Sequence, residues 1–144
     1  MNDQLHSFIG AFGTAIPLKQ LVSNLVNDSL LTANHNNTIV VNEVEQGIAL
    51  GTNMQHAIGI MGDILTTIVM NSNKGDIHIT AERFRDIVTL EFQERNNYNG
   101  YALAYSIGSI EPFAYLIGGH ISIKHPQQKI TTISFSFPDS ILAA

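Results

Sequence analysis

Asp63 and Thr67 place a carboxylate and a hydroxyl four residues apart, and on a helix that spacing stacks them one turn from each other on a single flank. His56, Gly59, Thr66 and Met70 share the flank. Two readings stay open for it: an ordinary polar surface facing water, or a ligand site of altered chemistry. Other residue types with chemical potential fall in less telling patterns. The six histidines, His6, His35, His56, His78, His120 and His125, form no metal-like pair on one element, so no metal site is expected. Ser106 and Ser109 flank Gly108 without the Gly-x-Ser-x-Gly elbow that exposes a nucleophilic serine, so serine catalysis is not expected either. Cysteine is absent, which removes thiol catalysis, disulfides and cysteine-based zinc sites.

The element that must carry Asp63 and Thr67 lies within Gly51 to Gly75. Met54, Ala57, Ile58, Met61, Ile64, Leu65 and Ile68 recur at three- and four-residue steps and predict a helix with one continuous apolar side. Thr52 or Asn53 is its start signal, and the polar run Asn71 to Gly75 ends it. Upstream, residues 1 to 16 read as an N-terminal arm or edge strand. Pro17 opens a helix with its stripe at Leu18, Leu21, Val22, Leu25, Val26 and Leu30, and Asn34 to Asn37 stops it. Thr38 to Val44 is rich in β-branched residues and reads as a strand, followed by a short loop around Gln46 and Gly47.

Downstream, Asp76 to Ala81 and Ile87 to Phe92 alternate, and the polar stretch Glu82 to Asp86 between them suits an antiparallel hairpin. Glu94 to Gly100 is a polar loop. Tyr101 to Ile117 is again helical, with Pro112 arguing for a break near Ser109. Gly118 and Gly119 end it, the strand His120 to Lys124 follows, the turn His125 to Gln128 reverses the chain, and Ile130 to Phe137 is the last strand, closed by Pro138. Alternating strands interleaved with amphipathic helices predict an α+β fold, a two-layer α/β sandwich with helices on one face of the sheet.

A length of 144 residues with 44% hydrophobic content supports a single domain over 1–144, with its core at 17–138. The net charge is −5 at pH 7 and only seven lysines and arginines are present, which sets nucleic acid aside as a partner. The first ten residues lack a basic segment ahead of an apolar one, and no apolar run approaches the roughly 18 residues of a membrane span, so a cytoplasmic location without membrane insertion is expected. The cytoplasmic domain of a larger membrane receptor would read the same way.

Three stretches resemble the histidine-kinase-like ATPase family, the catalytic and ATP-binding domain of sensor histidine kinases. Asp63 to Ile79, DILTTIVMNSNKGDIHI, resembles the family's N box, a helix ending in Asn-Leu-Leu-x-Asn-Ala before a glycine and a strand. Leu90 to Leu103, LEFQERNNYNGYAL, resembles a strand followed by the Asp-x-Gly-x-Gly box fused to the Gly-x-Gly-Leu box. Leu116 to Pro138, LIGGHISIKHPQQKITTISFSFP, resembles the closing pattern of helix, Gly-Gly, strand, turn, Gly-Thr-Thr, strand and proline. The resemblance covers Leu18 to Pro138 and implies the Bergerat-type fold with a mixed sheet, and ATP with Mg²⁺ as ligand.

The departures bear on the ligand. The resemblance places the metal-holding second asparagine of the N box at Thr67, with Asp63 at the first, and two such oxygen ligands weaken Mg²⁺ binding without forbidding it. The adenine-reading aspartate falls on Glu94, and the two glycines of that box on Asn96 and Tyr98, whose side chains fill space the nucleotide needs. Gly100 is kept, Ala102 replaces the second glycine of the next box, and no room is left for a lid. Ile130 stands for the glycine of Gly-Thr-Thr, while Thr131 and Thr132 are kept. Asp63, Thr67, Glu94, Asn96, Tyr98, Gly100, Ala102 and Thr131 are thereby expected to form a vestigial nucleotide site, with ATP and Mg²⁺ bound weakly or not at all.

The function implied is a regulatory or protein-interaction module of two-component signalling, partnered by a histidine kinase or response regulator and open to homo-oligomerisation. The alternative is an ATP-binding catalytic domain that supports phosphotransfer with a separate phosphoacceptor domain, since no phosphoacceptor hairpin is recognisable upstream of Pro17. A third reading is a groove remade for another small molecule.

Overall fold

Strands that alternate apolar and polar residues bury one face, and amphipathic helices supply the cover for it. The computed structural model describes residues 15–51, 53–97, 100–124 and 129–139. Residues 1–14 of the arm or edge strand expected over 1–16, the start signal Thr52, Tyr98 and the turn His125 to Gln128 lie outside the described residues. In chain order the elements are β1 (Ala15–Pro17), α1 (Leu18–Asp28), α2 (Leu30–His35), β2 (Ile39–Asn42), β3 (Ala49–Gly51), α3 (Gln55–Met70), β4 (Asp76–Phe84), β5 (Ile87–Glu94), α4 (Gly100–Gly108), α5 (Glu111–Leu116), β6 (His120–Lys124) and β7 (Thr131–Pro138).

Five strands form a mixed sheet in the order β2-β4-β5-β7-β6, with β2 parallel to β4 and the other neighbours antiparallel. Ile77 and Ile79 of β4, Val88, Leu90 and Phe92 of β5, and Ile133, Phe135 and Phe137 of β7 are buried on one face. The helices cover that face. From α3, Ala57, Ile60, Met61, Ile64, Leu65, Ile68 and Val69 are buried. The opposite sheet face is polar: Thr89 and Ser136 are cross-strand partners with their hydroxyls 2.9 Å apart, and Ser134 donates to Glu91 at 3.2 Å. The two-layer α+β architecture expected from the alternation is the one observed.

Local departures have local causes. Pro17 ends β1 with an extended ψ of 123°, so the first helix starts at Leu18, and Ser29, at φ −96° and ψ 1°, divides the expected single helix into α1 and α2. The hairpin is tighter than the polar stretch implied. Pairing continues to Phe84 and Ile87, leaving Arg85 and Asp86 as the turn, with Arg85 in the left-handed region at φ 59°. Backbone ladder bonds form whatever the side-chain polarity, so polar residues did not stop the strands. α3 begins at Gln55 behind Met54, without a side-chain cap from Asn53. Pro112 does mark a break: it sits in the first turn of α5, after the pause at Ser109 and Ile110. At the following strand, Gly118 takes φ 74°, and a Cβ on Gly119 would lie 2.8 Å from Ser136 O, so the glycine pair ends the helix and admits β7 closely.

A two-stranded ribbon pairs β1, which takes Ala15 and Ile16 from the end of the expected arm or edge strand, with β3, a three-residue strand too short to display a period. One ion pair ties it to the sheet. Arg83, projecting from β4 toward the covered side, donates to Ala49 O at 2.7 Å and pairs with the Asp139 carboxylate. Asp139, 3% exposed, also accepts the Gly51 N–H at 3.2 Å and donates its own N–H to Asp86 O at 2.6 Å. Removing one partner of such a buried pair strands the other charge. Asp139→Ala is therefore expected to cost about 3 kcal/mol of unfolding free energy, read by urea denaturation, against less than about 0.5 kcal/mol for the exposed Glu45→Ala.

Candidate functional site

At the far end of β5 the sheet brings Glu94 and Thr131 into register as cross-strand partners. Both are buried, each at 2% exposure. The Glu94 carboxylate is turned into the protein: Oε1 accepts the backbone N–H of Asp76 at 2.7 Å and of Asn96 at 3.0 Å, and Oε2 accepts from Ser72 Oγ at 2.6 Å. Thr131 Oγ1 accepts from Asn97 Nδ2 at 2.9 Å, and Asn97 N–H donates to Lys129 O. Asn96 reaches back to Lys74 O at 2.7 Å. The loop after α3, the loop after β5 and the start of β7 are thus joined by one set of bonds. A buried carboxylate requires such donors, because no lysine or arginine pairs with it among the described residues.

The α3 residues lie apart from this set. Asp63 is exposed, as are His56, Gly59, Thr66 and Met70. Thr67 Oγ1 donates to its own helix at Asp63 O, 2.7 Å away, and no hydrogen bond joins either residue to Glu94 among the described residues. Asp63, His56 and Gly59 instead form one wall of an open groove of about 390 Å³, with Phe113 and Leu116 of α5 opposite. Gly100 opens α4, and Ala102 O accepts from Ser106 Oγ at 3.0 Å. The eight sequence-predicted positions therefore divide. Glu94, Asn96 and Thr131 meet at the sheet end, Asp63 and Thr67 share a helix flank, Gly100 and Ala102 belong to the first turn of α4, and Tyr98 lies outside the described residues.

Ser72 and Gly75, which belong to the polar run expected to end the helix, also shape the cluster. A Cβ on Gly75 would collide with Glu94 Oε2, so the glycine is demanded by the carboxylate rather than by a positive φ. The usable signal was the pairing of an acid at a buried strand end with a glycine and a serine at the adjoining loop.

Ser72 has a single hydroxyl proton and two acceptors, Glu94 Oε2 and Ile68 O at 2.7 Å. An amide at position 94 supplies a donor to Ser72 and keeps an oxygen for the two N–H groups. Glu94→Gln is expected to change stability by less than about 1 kcal/mol, whereas Glu94→Ala, which leaves the N–H groups of Asp76 and Asn96 without their acceptor, costs about 1–3 kcal/mol. Urea unfolding of the two variants, at matched m-values, separates these outcomes.

No protein-family model matches the sequence, and no curated protein sequence does either. Solved structures do match in shape. The histidine kinase AdeS of Acinetobacter baumannii superposes with a TM-score of 0.70 at 8% identity over 87% of this chain and 66% of that one, so this chain spans just under two thirds of it. The nucleotide-free catalytic domain of histidine kinase ThkA gives 0.70 at 11% identity, covering 88% of this chain and 96% of that domain. ThkA in complex with the response regulator protein TrrA gives 0.63 at 12% identity, over 99% of this chain and 49% of that one. With its mixed five-stranded sheet and one-sided helical layer, this chain has the fold of the catalytic ATPase domains of sensor histidine kinases.

Proposed function

We propose that the chain is a histidine-kinase-like ATPase domain with a degenerate nucleotide site, working as a regulatory or protein-interaction module in two-component signal transduction. The observation that carries this reading is the engagement of Glu94. At the position where the resemblance puts the base-reading acid, both carboxylate oxygens are held by the chain's own donors, and Gly75 packs against them. A base amine arriving there competes with three short bonds inside a buried site.

The metal positions support the same reading. Mg²⁺ asks for near-octahedral oxygens and is usually held by one or two carboxylates together with phosphates. The α3 flank offers one exposed carboxylate, Asp63, and a Thr67 hydroxyl that already bonds its own helix. These residues fit Mg-ATP poorly, and phosphoryl transfer depends on positioned cations and donors, so no catalytic step is assigned to them. The class of partner follows the solved relative: ThkA was captured with a response regulator, and a response regulator or histidine kinase is the partner we assign. Among the described residues no helix is long and apolar enough to cross a membrane, which accords with the cytoplasmic setting of that role.

Calorimetric titration with Mg-ATP and Mg-ADP tests the proposal. No saturable heat is expected below about 1 mM nucleotide. Micromolar binding that disappears in Glu94→Ala would overturn the degenerate reading and favour a catalytic domain that serves a separate phosphoacceptor.

A further inference from the structure

Outside the Glu94 cluster, the described surface carries a groove built from two helices at once. The α3 ridge Gln55, Gly59, Asp63 runs at four-residue spacing along one side of the groove, and Phe113, Leu116 and Ile117 line the other. The floor at Ile60 is buried. Leu116 is 82% exposed and Phe113 59%, so the apolar wall stands open to water. A Cβ placed on Gly59 would meet no atom within 4 Å, which leaves the middle of the ridge low and free for close approach.

Charge specifies what fits. Asp63 and Glu111 are the only side chains of α3, α4 and α5 that carry a charge independent of histidine protonation, and all seven lysines and arginines lie on other parts of the chain. We infer that the groove between α3 and α5 docks an amphipathic helix of a partner protein, which sets apolar side chains against Phe113 and Leu116 and a lysine or arginine beside Asp63. A helix fits better than an extended strand because both walls are helical ridges, and a third ridge passing over Gly59 packs between them. A second copy of this chain fits less well, since two copies each of net charge −5 repel. The inference rests on the interaction-module reading and names the chemistry of its partner.

The probe is a pair of synthetic peptides of about 14 residues, one of leucine and lysine in helical spacing, the other with glutamate for lysine. Each is titrated into the ¹⁵N-labelled full chain at about 0.15 M salt. Saturable shifts of the Gly59, Ile60, Asp63 and Leu116 amides are expected with the lysine peptide only. Its affinity falls roughly tenfold in Asp63→Lys and in Leu116→Glu; both side chains are exposed, and preserved amide dispersion checks that the variants fold.

Three results overturn the inference: shifts scattered away from the groove, equal binding of the glutamate peptide, or indifference to both substitutions. Concentration-dependent shifts of the same amides without peptide also overturn it, by assigning the groove to a second copy. Mg-ATP added to the same sample keeps the two proposals separable. Micromolar nucleotide binding sinks the degenerate reading while leaving the groove result standing, and a silent lysine peptide sinks the groove alone.

Discussion

A carboxylate taken out of water without a cation must be surrounded by donors, and at Glu94 that demand decides how the ends of several elements meet. Two of the donors are backbone N–H groups, at Asp76 where β4 starts and at Asn96 where the chain leaves β5. The third is Ser72, just past the end of α3. Because the backbone itself is bonded, the loop between α3 and β4 has little latitude, and its glycine at position 75 is the residue type that leaves the carboxylate room. The end of α3 is in this way tied to the sheet by polar contacts as well as by its buried stripe.

That stripe explains the rest of the layering. α3 buries seven side chains in the same core cluster as the inner-face residues of β4, β5 and β7, and the polar outer face of the sheet is left to water. One-sided burial forces α4 and α5 onto the same side as α3, and a groove opens where α5 and the N-terminal half of α3 do not close on each other. At the opposite end of the sheet a different device does the corresponding work. Arg83 and Asp139 hold the β1–β3 ribbon by ionic and backbone contacts, where three-residue strands have too few ladder bonds to hold themselves.

In the function proposed for this chain, the scaffold of an ATPase domain serves recognition. The two halves of that idea draw on separate places. The buried end of the sheet bears on nucleotide, because its acid is already bonded within the chain. The open groove bears on protein, because its α5 wall is apolar and accessible and its α3 wall carries Asp63 without a lysine or arginine. Neither feature depends on the other, since Asp63 and Glu94 share no hydrogen bond among the described residues.

Periodicity in the sequence was enough to determine the layers. The alternation of Ile77 and Ile79, of Val88, Leu90 and Phe92, and of Ile133, Phe135 and Phe137, with the stepwise stripe from Ala57 to Ile68, specifies which faces are buried, because burial acts residue by residue along one chain. The likeness of Asp63 to Ile79 and of Leu116 to Pro138 to known boxes pointed to the same fold. The partners of each polar side chain were not legible there. That Ser72, Asp76 and Asn96 converge on Glu94, that Arg83 reaches Asp139 56 residues away, and that Asp63 faces α5 rather than the sheet end were decided by tertiary structure alone. Hydrogen bonds and ion pairs require atoms of residues remote in the chain to meet at roughly 3 Å, to within a few tenths of an ångström, and nothing in a linear pattern encodes that separation.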